Sequence, residues 1–422
     1  MKPSSPARDL VRAFLDREFS AQCAFLANLV RVPSDNPPGD CAPHASRARE
    51  LLEALGLTVE EHVVPAELTQ ANGMIHASNL IVRQQFGTGG PVIALSAHGD
   101  VVPPGRGWTR DPYAAQIVED PQHGPMMYGR GVAVSKSDFA TYCWALLALH
   151  ELHATGTALN GTVELHFTYD EEAGGTIGPQ WLLERNLTRP DLAVCAGFSY
   201  AVTTAHNGCL HLEVVINGKS GHAAAPQTGV DALEAATAIL EKLYAFRAEL
   251  AKRHSRVPGI HTATLNVGLI KGGINTNVVP DRVELRLDRR IIPEESSAEV
   301  EVELRELIAR IPFKAGITVD VKRILLAQPL VELPGAASLI RALQAHGEAE
   351  FNTPIPTTGV PLYTDARHYA AAGIPTVLYG AGPRTLQEAN GHGADECLRL
   401  NDLKRATVVI ALALAELFGA PT

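Results

Sequence analysis

Hydrophobic and polar positions alternate in several distinct rhythms along this chain. Residues 9–30 read as an amphipathic helix, with Phe14, Phe25, Leu26 and Leu29 turned to a core. The run RVPSDNPPGD (31–40) is dense in turn residues and ends it. SNLIVRQQF (78–86), PVIALSAH (91–98) and TVELHFTYD (162–170) read as strands, and LAVCAG (192–197) as an interior strand. FATYCWALLALHEL (139–152) predicts a buried helix and PQWLLERN (179–186) a shorter one. Strands alternating with helices predict a layered α/β domain with a largely parallel sheet.

The rhythm changes near Gly208. CLHLEVVING (209–218) alternates with period two, residues 231–254 form a long helical pattern, and TATLNVGLI (262–270) and DRVELRLDRR (281–290) are strands around a turn. A second helix over 296–311 and a strand over 316–327 complete the order β-α-β-β-α-β, the ferredoxin-like signature. The α/β alternation then resumes with a helix at 335–348, a strand at 376–380 and a helix at 400–418. The expected domains are 1–207 together with 329–422, and an inserted domain at 208–328.

Composition narrows the function. Asp and Glu outnumber Lys and Arg by 46 to 36, leaving a formal charge of −10, so no basic excess exists to meet nucleic-acid phosphates. The six cysteines are scattered with no CxxC pair, which fits a reducing compartment better than a disulfide framework. The most apolar stretches are too short to span a bilayer. A cytoplasmic protein with a small-molecule substrate, no nucleic-acid partner and no membrane partner is expected.

Three polar clusters sit where an open α/β sheet places its sites, beyond strand ends. SAHGD (96–100) pairs His98 with Asp100, a spacing that suits a metal-bound imidazole and its orienting carboxylate and also suits a capped turn. TYDEEAGG (168–175) places Glu171 beside Glu172, one able to ligate a cation while the other moves a proton; a solvated loop is the alternative. NGHGADE (390–396) holds His392 between glycines. Together they outline a His/Glu/His metal site.

The sequence resembles the di-zinc aminoacylase/carboxypeptidase superfamily, which includes acetylornithine deacetylase, succinyl-diaminopimelate desuccinylase and glutamate carboxypeptidase. The motifs are SAHGDVVPPG...W (96–108), YGRG (128–131), DEEAGG (170–175), NGKSGHAAAP (217–226), GGINTNVVPDRVELRLDRR (272–290), TDAR (364–367) and GIPTVLYGAGP (373–383). The resemblance implies an α/β, phosphorylase/hydrolase-like layered catalytic domain with an inserted α+β ferredoxin-like lid. It implies His98, Glu172 and His392 as metal ligands, Asp100 as the partner of His98, and Glu171 as general base. It implies His222 as an oxyanion stabiliser, and Asn277 and Arg290 as holders of a substrate carboxylate. Relatives pair through their lids, so a homodimer is expected; the helix over 231–254 carries Leu233, Ile239, Leu240, Leu243 and Phe246 beyond a single face.

Two departures stand out. Where relatives carry the Asp that bridges two metals, this chain has Val134; where they carry the second metal's last carboxylate, it has Phe198. Neither side chain ligates a cation. One divalent ion is therefore expected, zinc, manganese or cobalt, held by His98, Glu172 and His392, with Asp138 as the reserve ligand and Cys195 and Ser199 behind it. The expected activity is metal-dependent hydrolysis of a C–N bond in an N-acyl amino acid or dipeptide. The alternatives are hydrolytic deamination of an aromatic or other unusual substrate, and a binding protein that has lost catalysis.

Overall fold

The computed structural model describes residues 6–420. The described chain divides into two units: one runs through Thr204 and includes Glu332–Thr358 and the chain from Thr364, and the other comprises Ala205–Val331 with Gly359–Tyr363. Each unit has its own apolar core.

In the first unit, strands Gly161–Thr168, Val92–His98, Leu192–Cys195 and Thr376–Leu378 pair in parallel in that spatial order. Their near-continuous apolar runs are buried, as strands covered on both faces must be. Ser78–Phe86 and Val59–Val63 extend the sheet antiparallel on one side, and Val202–His206 joins antiparallel on the other through Thr203 opposite Leu378. The sheet is thus mixed rather than largely parallel. Among these antiparallel pairs only Val59–Val63 and Ser78–Phe86 are neighbours in sequence; the others join strands far apart along the chain. A small antiparallel sheet of Gln116–Asp120, Gly124–Tyr128 and Cys397–Arg399 lies apart; its short strands gave no sequence signal.

Helix Lys136–Ala154 is buried nearly all round, packing on strands Val92–His98 and Gly161–Thr168 and against helices Pro6–Val30 and Leu400–Leu417. Phe139 stacks on Phe167 with ring centroids 3.9 Å apart, and Trp144 meets Phe25 edge-on. Burying side chains of this size stabilises the unit by about 1.5–3 kcal/mol each. The first helix has no basic residue in its last turn. Buried Lys136 takes that place, its Nζ donating to the carbonyls of Leu29 and Val32 at 3.4 and 3.1 Å, while burial pushes its pKa down to about 7.

The second unit is a four-stranded antiparallel sheet in the order Thr264–Gly272, Arg282–Ile291, Gly208–Asn217, Thr318–Ala327. This is the ferredoxin-like arrangement. Leu210, Leu212, Val214 and Ile216 point to one face and share a core with helices Ala232–Leu250 and Ser297–Ala309. Asp231 caps the first helix, accepting from Leu233 N and Glu234 N at 2.8 and 3.1 Å. Residues 359–363 join this unit in part through Gly359 N, which donates to Pro258 O at 2.7 Å.

Candidate metal centre

His98 is the last residue of its strand and is buried. Its Nδ1 donates to the backbone carbonyl of Asp100 at 3.0 Å and lies 3.3 Å from Asp100 Oδ1, which leaves Nε2 facing Glu171 Oε2 at 3.9 Å. Asp100 is fully buried and does more than orient the ring. Its oxygens also accept from Asn36 Nδ2 at 3.0 Å and from the backbone N–H groups of Glu171 and Glu172 at 3.3 and 3.1 Å. One carboxylate therefore fixes both the imidazole and the short helical turn Glu171–Ala173 that carries the acidic pair.

Glu172 Oε1 is buried without a hydrogen bond and lies 3.3 Å from His392 Nε2. His98, Glu171 and Glu172 present ligand atoms all within 4.8 Å of one another. His392 has φ +63, in the left-handed region, between Gly391 and Gly393. Its loop is tied down from behind. Arg130 donates to the carbonyls of His392 and Gly393 at 3.3 and 3.0 Å and forms a fully buried ion pair with Glu396 at 2.7 Å. Glu396 in turn accepts from the backbone of Gly131, Ala133 and Val134.

Asp365 and Asp170 are buried close by. Burial and the charge of Glu171 push the Asp365 carboxyl up to about 7, and burial and Asp365 push Asp170 well above the carboxylate range. Burial raises Glu171 to about 8, with Glu172 and Asp100 adding to it against His98. For His98 burial opposes the charged form, yet Glu171 and Asp100 hold the imidazole well above its ordinary value; Glu172 raises His392. A buried excess of carboxylates with an orphaned Glu172 oxygen and two imidazoles is a setting that a divalent cation completes. His98, Glu172 and His392 would hold it, with Glu171 alongside.

Asp138 is not brought into this group. Its carboxylate accepts from Ala381 N and Gly197 N at 2.7 and 3.3 Å, bracing the ends of two parallel strands, and burial raises it to about 7. Cys195 is buried with its thiol pushed far up, and Ser199 donates to Gly382 O at 2.9 Å. Val134 is held by its backbone N–H, which donates to Glu396 Oε1 at 3.1 Å, and its side chain brings no donor to the group. Phe198 is half-buried, its backbone paired with Gly382.

In the second unit, His222 and Asn277 lie on neighbouring exposed segments: Ala223 N donates to Asn277 O at 3.0 Å, and His222 Nδ1 accepts from Ala224 N. Arg290 meets Asp288 through two bonds, Nε to Oδ1 at 2.9 Å and Nη2 to Oδ2 at 3.1 Å.

Sequence reading missed Arg130, Glu396 and Asp365. All three lie inside quoted motifs, YGRG, NGHGADE and TDAR, but nothing in their spacing tells a buried brace from a surface charge.

Comparison with solved structures gives the same architecture. A dipeptidase of Saccharomyces cerevisiae aligns with a TM-score of 0.75 at 13% identity, covering 98% of this chain and 99% of that one. An M20 family metallo-carboxypeptidase of Sulfolobus solfataricus aligns at 0.71 and 18% identity, covering 95% and 99%. In sequence, the chain is 28% identical over 400 residues to a succinyl-diaminopimelate desuccinylase of Sphingopyxis alaskensis, spanning 92% of this chain and 96% of the relative. It is 28% identical over 360 residues to an acetylornithine deacetylase of Klebsiella pneumoniae, spanning 85% and 86%. Peptidase family M20/M25/M40 matches residues 94–416, from the strand that ends in His98 to the last helix, and the chain belongs to that family.

Proposed function

We propose that this protein is a metal-dependent hydrolase of an amide bond in a small, carboxylate-bearing substrate, an N-acyl amino acid or a dipeptide. The observation that carries the reading is the Glu171–Glu172 turn pinned on Asp100, with one carboxylate set toward each imidazole. The relatives in sequence bear the names of deacylases, which supports the substrate class.

A divalent ion bound here would polarise the scissile carbonyl and lower the pKa of an attacking water. Glu171, set 3.9 Å from His98 Nε2 and kept as a carboxylate by the charge of a cation beside it, takes the proton from that water and returns it to the leaving amine. Asp100 keeps His98 in the tautomer that leaves Nε2 as the donor atom. Arg130 and Glu396 hold the His392 loop in place.

We further propose one tightly held ion in the site of the first unit. Val134 and Phe198 contribute no donor, and Asp138 is spent on backbone N–H groups. A second dication would lack a shared anion to offset repulsion from the first. Elemental analysis of protein loaded with zinc, manganese or cobalt and then desalted tests this, with Cys209→Ser, which removes a thiol donor of the second unit, as the background for counting ions in the first. One equivalent is expected; two equivalents retained by that variant would contradict it.

A further inference from the structure

Outside the first unit, one other group of side chains gathers the donors of a metal site. Cys209 and His211 lie two residues apart on strand Gly208–Asn217, and Asp288 and Arg290 two apart on Arg282–Ile291. The strands are antiparallel neighbours with Cys209 opposite Arg290 and His211 opposite Asp288. Leu210, Leu212 and Leu287 point to the helices, so the four polar side chains share the other face.

We propose that Cys209, His211 and Asp288 form a second cation site, for a thiophilic divalent ion of the zinc class. Cys209 Sγ lies 3.8 Å from Asp288 Oδ1, His211 Nε2 lies 3.2 Å from Asp288 Oδ2, and the three ligand atoms are all within 4.8 Å of one another. Tetrahedral zinc, with bonds of about 2.3 Å to sulfur and about 2.0–2.1 Å to nitrogen or oxygen, sets its donors roughly 3.3–3.7 Å apart. Small side-chain movements on a rigid two-strand frame therefore close the site. Arg290 plays the outer part, fixing Asp288 by its two bonds. Its charge favours the Cys209 thiolate, and that thiolate supplies the negative charge a dication needs beside a balanced Arg–Asp pair. His211 and Asp288 side chains are 33% and 30% exposed, so the fourth position is open to water or to an exogenous ligand. Three protein ligands with one open position describe an exchangeable site rather than a closed structural one.

The two sites differ in softness: the first offers nitrogen and oxygen, the second adds sulfur. Cobalt(II) separates them, because only a thiolate ligand gives a sulfur-to-cobalt charge-transfer band in the near ultraviolet. In the intact protein titrated with cobalt the band should appear, be abolished in Cys209→Ser and fall several-fold in His211→Ala. It should persist in Glu172→Gln, which separates this site from the hydrolytic one. Zinc takes the same donors, so excess zinc added to the cobalt-loaded unaltered protein should remove the band, and this arm needs no variant. A cobalt-loaded protein with no such band, a band that survives in Cys209→Ser, or a band indifferent to excess zinc would overturn the proposal.

Discussion

At the scale of single residues, the site rests on buried charges that are each held by more than one partner. Glu396 is the clearest case, joining Arg130 to the backbone of Gly131, Ala133 and Val134. Glu396→Gln leaves the Arg130 guanidinium buried without its counter-charge and should cost about 3–5 kcal/mol in urea unfolding. It should also weaken metal retention, because the His392 loop hangs on the same arginine. Gly175 is as constrained: it has φ +66, and a Cβ there would stand 2.0 Å from Asp365 Oδ1. Gly175→Ala should therefore lower thermal stability and metal content together, and a variant with unaltered melting would show that Asp365 gives way. The candidates His98 and Glu172 stand out in the sequence because each follows an apolar strand, and His392 because it lies between two glycines. Asp138 was open to misreading: one acidic residue in a helix's first turn looks the same in sequence whether it faces a metal or two backbone amides.

At the scale of elements, the strands and helices that carry the site follow from periodicity. The short strands around 116–128 and 397–399 do not, because three to five residues hold too little pattern to separate strand from loop. An interior strand of the sheet carries a charged device as well. Glu164, on strand Gly161–Thr168, accepts from Arg83 Nε at 2.8 Å and meets His166 Nε2 at 3.0 Å, with Thr188 also donating. Burial opposes its charge, but these partners lower its pKa from 4.5 to about 2. A depressed carboxyl stabilises the fold above its unfolded pKa, and that contribution is lost as pH falls from about 5 toward 2. Glu164→Gln should cost about 2–3 kcal/mol at pH 7 and flatten the acid limb of stability against pH. An unchanged acid limb in the variant would assign that loss to other carboxylates.

At the scale of the molecule, the inserted second unit announced itself through its β-α-β-β-α-β order, whereas residues 359–363 gave no sign of joining it, since backbone bonds to distant residues leave no local pattern. Of the apolar positions on its long helix, Ile239 and Leu243 are core, Leu240 and Phe246 pack on that core, and Leu233 is exposed. The edge strand Thr264–Gly272 exposes Leu269 and Ile270, and Ile274 beyond it is 77% exposed. An unpaired edge of this kind is suited to pairing with a second copy. A homodimer is expected, and light scattering should give twice the 45.0 kDa chain mass. Backbone changes in the acidic turn would confuse fold with chemistry, so hydrolysis is best probed by the smallest change at its base. Hydrolysis of a panel of N-acyl amino acids and dipeptides should be measured for the metal-loaded protein and for Glu171→Gln, with metal content determined on the same samples. The unaltered protein should turn over the panel, and Glu171→Gln should lose about 10²–10⁴ in kcat at equal metal content; near-full activity in Glu171→Gln, or no hydrolysis of the panel by the loaded protein, would contradict the proposed hydrolase.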